Sequence, residues 1–169
     1  MYAGHVALAS FAKGVRPRIP IALLVPIAFA PDWIEWIFSA VGHQNREISH
    51  SLISVGAGAT VVALVYYAVT RARSDAMAVW LTYVSHWPAD FVTGLKPTWP
   101  GGPTVGLNVY SRPGLDFAIE SALIILCWFA YRRSLTPVAR KRAVGFLIPA
   151  GLIAMQIAFL ATSNPNLRK

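Results

Sequence analysis

Charge is scarce in this chain, and negative charge scarcer still. Of 169 residues, 13% are Asp, Glu, Lys or Arg, and seven are acidic. Soluble domains carry roughly 25% charged residues, so an ordinary solvated surface is excluded. A single cysteine, Cys127, lies inside an apolar run, which rules out an internal disulfide framework. The chain has no internal repeat and no low-complexity segment, which argues against a solenoid or a disordered arm. What is present is hydrophobic: 56% of the residues, gathered in runs that approach the roughly 20 residues a helix needs to cross a bilayer. The formal charge of +8 is the kind of balance that nucleic-acid binding uses, but Lys and Arg cluster in short loops between apolar runs, which is the pattern of membrane topology.

The runs predict an all-α, polytopic membrane helix bundle forming a single integral membrane domain over residues 1–169. Tyr2 to Val15 is apolar but too short to span and reads as a re-entrant or interfacial helix. Five apolar helices follow: Ile19 to Val41, Ser51 to Thr70, Ala76 to Leu95, Gly114 to Tyr131 and Ala143 to Thr162. Pro20, Pro26 and Pro31 predict kinks in the first, which membrane helices tolerate when neighbours satisfy the freed backbone groups. Ala28-Phe29-Ala30 resembles a signal-peptidase site, but Pro31 follows at once and the apolar run continues, so an uncleaved helix is expected. Lys96 to Pro113 is a Pro/Gly-rich loop.

Ten basic residues fall on one side of these spans: Lys13, Arg16, Arg18, Arg71, Arg73, Arg132, Arg133, Arg140, Lys141 and Arg142. Five fall on the other: Arg46, Lys96, Arg112, Arg168 and Lys169. The richer side is expected in the cytoplasm, which predicts a multi-pass protein of the cell inner membrane.

Within this frame six of the seven acids, all but Asp75, lie in outer loops or outer half-spans. Ser85-His86-Trp87-Pro88-Ala89-Asp90 stands inside the third run and puts His86 and Asp90 one above the other on a helical face. Such a pair is costly in hydrocarbon unless partnered, and imidazole and carboxylate both suit zinc and similar ions. The plain alternative is a kinked helix in which His86 merely bonds Asp90. Asp32 in the first span, His50 at the start of the second and Glu120 in the fourth fall within a layer roughly 15 Å thick, at 1.5 Å per residue. A divalent cation would keep such carboxylates ionised. His5 joins them if the first segment folds back into the membrane. Asp116 reads as a dipole partner near a helix start, Glu35 as a headgroup-level residue, and His43 and Glu47 as solvated loop residues. Trp33, Trp36, Trp87, Trp99 and Tyr110 fit an outer aromatic belt.

Several stretches together resemble the YdjM-like membrane-bound metal-dependent hydrolases, small bacterial inner-membrane proteins. They are Gly4-His5-Val6-Ala7, Pro31-Asp32, Arg46-Glu47-Ile48-Ser49-His50-Ser51-Leu52 and Val84-Ser85-His86-Trp87-Pro88-Ala89-Asp90. Trp99-Pro100-Gly101-Gly102-Pro103, Val105-Gly106-Leu107-Asn108-Val109-Tyr110 and Glu120 follow in order. The resemblance covers roughly residues 4 to 133 and implies that His5, Asp32, His50, His86, Asp90 and Glu120 are the shared polar positions. Some relatives carry a further His and Asp just after the third-span motif; Gly94-Leu95-Lys96-Pro97 stands there in this chain.

The expectation is therefore a metal-dependent hydrolase working in or at the membrane. His5, Asp32, His50, His86 and Asp90 would hold one or two divalent ions, most simply zinc, to activate water. Glu120 would be general base or a further ligand, and Arg46 would hold a phosphate. A site at acyl-to-headgroup depth suits a membrane lipid, or a lipid-linked ester or phosphodiester. Two rivals stand beside it: an ion- or proton-handling transporter, since buried His and acids also mark ion paths, and a purely structural metal staple.

Overall fold

The computed structural model describes residues 2–42, 46–141 and 144–163; His43 lies outside them. The described structure is almost wholly helical, as the apolar runs require. Helix α1 (Tyr2–Val15) is followed by α2 (Ile21–Ala28), α3 (Ala30–Ala40), the short α4 (Arg46–His50), α5 (Leu52–Thr70), α6 (Arg73–Val84) and α7 (His86–Thr93). A hairpin of two short strands, β1 (Lys96–Pro97) and β2 (Thr104–Val105), and a 3-10 turn at Val109–Ser111 lead into α8 (Pro113–Arg132), α9 (Pro137–Lys141) and α10 (Val144–Ser163).

Among the described residues, two helices, α5 and α8, are each long and apolar enough to cross a membrane, and α2 with α3 make a third if that pair, bent by 57°, is one broken span. This is fewer than the five that the apolar runs predict. The third run is the clearest departure. It opens on Arg73, Ser74 and Asp75 and is cut at Ser85, whose hydroxyl donates to the Thr82 carbonyl at 2.7 Å, leaving helices of 12 and 8 residues. The α2–α3 bend has the expected cause: Pro31 lacks the N–H that would continue the ladder, and Phe29 takes up the junction with φ −96° and ψ 4°.

Helix α1 is inserted among the others, chiefly against α8 and α2. Gly14 allows the closest approach, because a Cβ there would overlap the carbonyl of Ala130 on α8. Ala3 and Ala7 pack with Ile124 and Cys127 of α8, while Ala9 joins Ile19, Leu24, Ile27, Val55, Ala59, Val79 and Tyr83 in the main core. Small residues let helix backbones approach closely, which drives helix association where lipid removes the hydrophobic incentive. Helices α5 and α6 form a tight antiparallel pair. The Tyr83 ring lies over Gly58, and the Trp80 indole donates to Thr60 Oγ1 at 3.2 Å. Ser51 caps α5, accepting from the Ser54 N–H at 3.2 Å. The outer faces of α5 and α8 stay apolar and exposed, Val61, Leu64, Val65 and Val69 on one, Ile125, Leu126 and Phe129 on the other.

A candidate metal centre

Five elements deliver polar side chains to one buried point. α1 brings His5, α3 brings Asp32 and Glu35, α4 brings His50, α7 brings His86 and Asp90, and β1 brings Lys96. His5, His50, His86 and Asp90 are each at most 6% exposed. His86 and Asp90 stand one turn apart on the buried face of α7, with Asp90 Oδ2 3.4 Å from His86 Nε2.

The ring of His86 is oriented by a backbone atom. Its Nδ1 lies 2.9 Å from the carbonyl oxygen of Ala28, at the end of α2 where the bend begins. A carbonyl only accepts, so Nδ1 carries the hydrogen and Nε2 of the neutral imidazole is a bare lone pair. That nitrogen has no hydrogen-bond partner, yet faces Asp90 Oδ2 at 3.4 Å and Asp32 Oδ1 at 3.8 Å. A lone pair directed at carboxylate oxygens is repulsive; a cation between them reverses the sign.

The remaining groups converge on the same volume. His50 Nε2 is 3.1 Å from Asp32 Oδ1 and 3.9 Å from Asp90 Oδ2. Its Nδ1 is held by Ser49 Oγ at 2.8 Å and lies 3.4 Å from Glu35 Oε2. His5 Nε2 is 3.3 Å from Asp90 Oδ1, and its ring stacks on His86 with centroids 4.0 Å apart. Three triads, His5/Asp32/His86, His50/His86/Asp90 and Asp32/Glu35/His50, each bring ligand atoms within 4.8 Å of one another. Imidazole nitrogen and carboxylate oxygen are the donor set of zinc and related divalent ions, and hydrogen bonds such as those to the Ala28 carbonyl and the Ser49 hydroxyl orient ligating imidazoles. The residues present fit a divalent metal.

All five predicted ligands, His5, Asp32, His50, His86 and Asp90, are therefore in the cluster. Glu120 is not in any of the triads. It is 4% exposed on α8, accepts from the Gly4 N–H, and keeps Oε1 without a partner. It faces a cavity of about 310 Å³ shared with Ala3, Val6, Phe29, Tyr110, Met155 and Gln156. Phe29 joins the two places, lining that cavity while its ring edge meets His5 at 5.4 Å. Burial pushes the Tyr110 phenol up, so it stays protonated beside Glu120. Asp116, expected at an interface, is instead 1% exposed and close-packed, with the Gln156 amide donating to its carbonyl at 3.5 Å. The side chain of Arg46 lies outside the described residues, which leaves its expected phosphate contact without a structural account.

Two site residues were missed by the sequence reading. Glu35, expected near the headgroups, reaches His50; it stands three positions after Asp32 and so shares its helical face. Lys96, expected in an outer loop, places its ammonium 2.6 Å from Asp90 Oδ2. The Thr98-Trp99-Pro100-Gly101-Gly102-Pro103 turn was the available signal, since a hairpin there folds the residue before it back toward α7. Glu47, expected to be solvated, accepts from the Gly101 N–H at 2.7 Å and ties that turn to α4. Comparison of the chain with family models, with curated proteins and with solved structures gave no match.

Proposed function

We propose that the chain is a membrane-embedded, metal-dependent hydrolase of the YdjM-like kind, acting on a lipid or lipid-linked ester or phosphodiester. The observation that carries this reading is the unpartnered Nε2 of His86, held by Ala28 so that it faces two carboxylates. His5, Asp32, His50, His86 and Asp90 hold the ion, most simply zinc, with Glu35 beside His50. A divalent ion held there supplies Lewis-acid polarisation of an ester oxygen and activation of water. The protein's own contribution is orientation and exclusion. Ala28 and Ser49 fix the two imidazoles, and α1 closes the site against bulk solvent with His5. The cavity beside Phe29 offers apolar walls for an acyl or prenyl portion. Glu120, on the far side of Phe29, acts on the proton of the leaving group or water only through that cavity, not as a ligand. The arrangement of basic loops supports a multi-pass inner-membrane placement with the site toward the periplasmic half.

The test is elemental analysis of detergent-purified protein together with His86→Ala and Asp90→Ala. About one or two equivalents of a transition metal, lost in both variants while the purified protein stays monodisperse, is the expected result. No metal after gentle purification, and none taken up on addition of zinc or manganese, overturns the reading and turns attention to proton or cation handling by the same groups.

A further inference from the structure

Lys96 is the one group in the cluster that a metal site does not call for. Its ammonium lies 2.6 Å from Asp90 Oδ2, the oxygen that also faces His86 Nε2 at 3.4 Å and His50 Nε2 at 3.9 Å. The side chain is 19% exposed, so this is a largely dehydrated ion pair.

The fold holds the ammonium there. Lys96 pairs with Val105 across the hairpin. The Trp87 indole donates to the Pro97 carbonyl at 3.3 Å, and the Ile53 N–H donates to the Thr98 carbonyl at 3.3 Å. Gly106, at φ 156°, sits so close to the Gly94 carbonyl that a Cβ would overlap it. The hairpin is thus clamped to α5 and α7, and the lysine is part of the built site.

Electrostatics then limits what the site takes. Asp32, Glu35 and Asp90 are three negative charges, ligating imidazoles are neutral, and Lys96 returns one positive charge. One divalent ion brings the cluster to neutrality. A second would leave it doubly positive in a site only partly open to water, its Asp32 and Glu35 side chains 30% and 20% exposed, where uncompensated charge is expensive, and would have to displace the ammonium from Asp90. We infer that Lys96 is a resident cation that restricts the centre to a single divalent ion, and that removing its charge opens a second metal position beside Asp90. This rests on the metal-site reading above.

The experiment is equilibrium dialysis of the full chain in detergent against excess zinc, then elemental analysis, for the unchanged protein, Lys96→Met, Lys96→Gln and Lys96→Arg. The expected content is about one equivalent in the unchanged protein and in Lys96→Arg, and about two in the neutral variants. Two equivalents in the unchanged protein, or one in both neutral variants, overturns the inference. An unchanged protein that binds no zinc is a different failure, that of the metal site itself. Neutral variants that are monodisperse only when zinc is present support the inference, because the ion then replaces the ammonium. Neutral variants that aggregate at every zinc concentration overturn it.

Discussion

A histidine ring has two nitrogens, and which of them is spent on structure decides what the other can do. In His86 the Ala28 carbonyl takes Nδ1 and leaves Nε2 for the site. In His50 the Ser49 hydroxyl meets Nδ1 at 2.8 Å, and Nε2 bonds Asp32 Oδ1 at 3.1 Å. Replacing the serine removes an orienting contact and no ligand. Ser49→Ala is therefore expected to weaken metal affinity by about 10- to 100-fold without abolishing it, measured by competition with a chelating indicator. Unchanged affinity would mean that Ser49 does not orient the ring. Glu120→Ala is expected to retain full metal content, because Glu120 stands outside the triads; loss of metal in that variant would put it among the ligands. These side chains differ in how legible they were. His86 and Asp90 were readable because four-residue spacing survives any helix, and α7 is a helix across them. Asp32 and His50 were readable from depth. Lys96 was not, because a basic residue next to a Pro/Gly-rich turn looks like solvated loop until a pairing register folds it inward.

Elements carry a different kind of constraint, that of approach. Helix α1 fits against α8 only because position 14 has no side chain. Gly14→Leu forces the two backbones apart and draws His5 away from Asp90; the cost expected is about 1–3 kcal/mol, read as a lowered thermal midpoint in detergent, together with weaker metal binding. A variant with an unaltered midpoint would show that α1 is not held in this groove. Gly106→Ala makes the same test on the hairpin, where both the overlap with Gly94 and the positive φ oppose a side chain, again at about 1–3 kcal/mol. The apolar runs announced α5 and α8 correctly because a continuous hydrophobic stretch with no internal break has one structural solution. They overstated the third span. The composition of 76–95 is apolar enough, but the run divides at Ser85 into helices of 12 and 8 residues, and Pro88 has no N–H to give to the Val84 carbonyl.

At the scale of the molecule, the exposed faces of α5 and α8 are covered with Val, Leu, Ile and Phe, and less than a quarter of each apolar window is buried within the protein, 17% and 22%. Water does not stabilise such faces in a monomer; hydrocarbon does. The chain is expected to remain with the membrane pellet after alkaline carbonate washing, and release into the supernatant would remove the membrane reading. Helicity was visible from the apolar runs, and a polar centre from where the His and acidic residues fall along them. The number of crossings was not: the third run divides into helices of 12 and 8 residues, each too short to span alone.

The insertion of α1 against α8 also sets an order of events in time. The segment that bears His5 leaves the ribosome about a hundred residues before the helix it packs against, a delay on the order of 5–20 seconds at ordinary elongation rates. During that interval α1 has its neighbour α2 but not the α8 groove that Gly14 fits. The five ligands lie between residues 5 and 90, so all of them are made before α8 arrives to hold α1, and with it His5, in its final place.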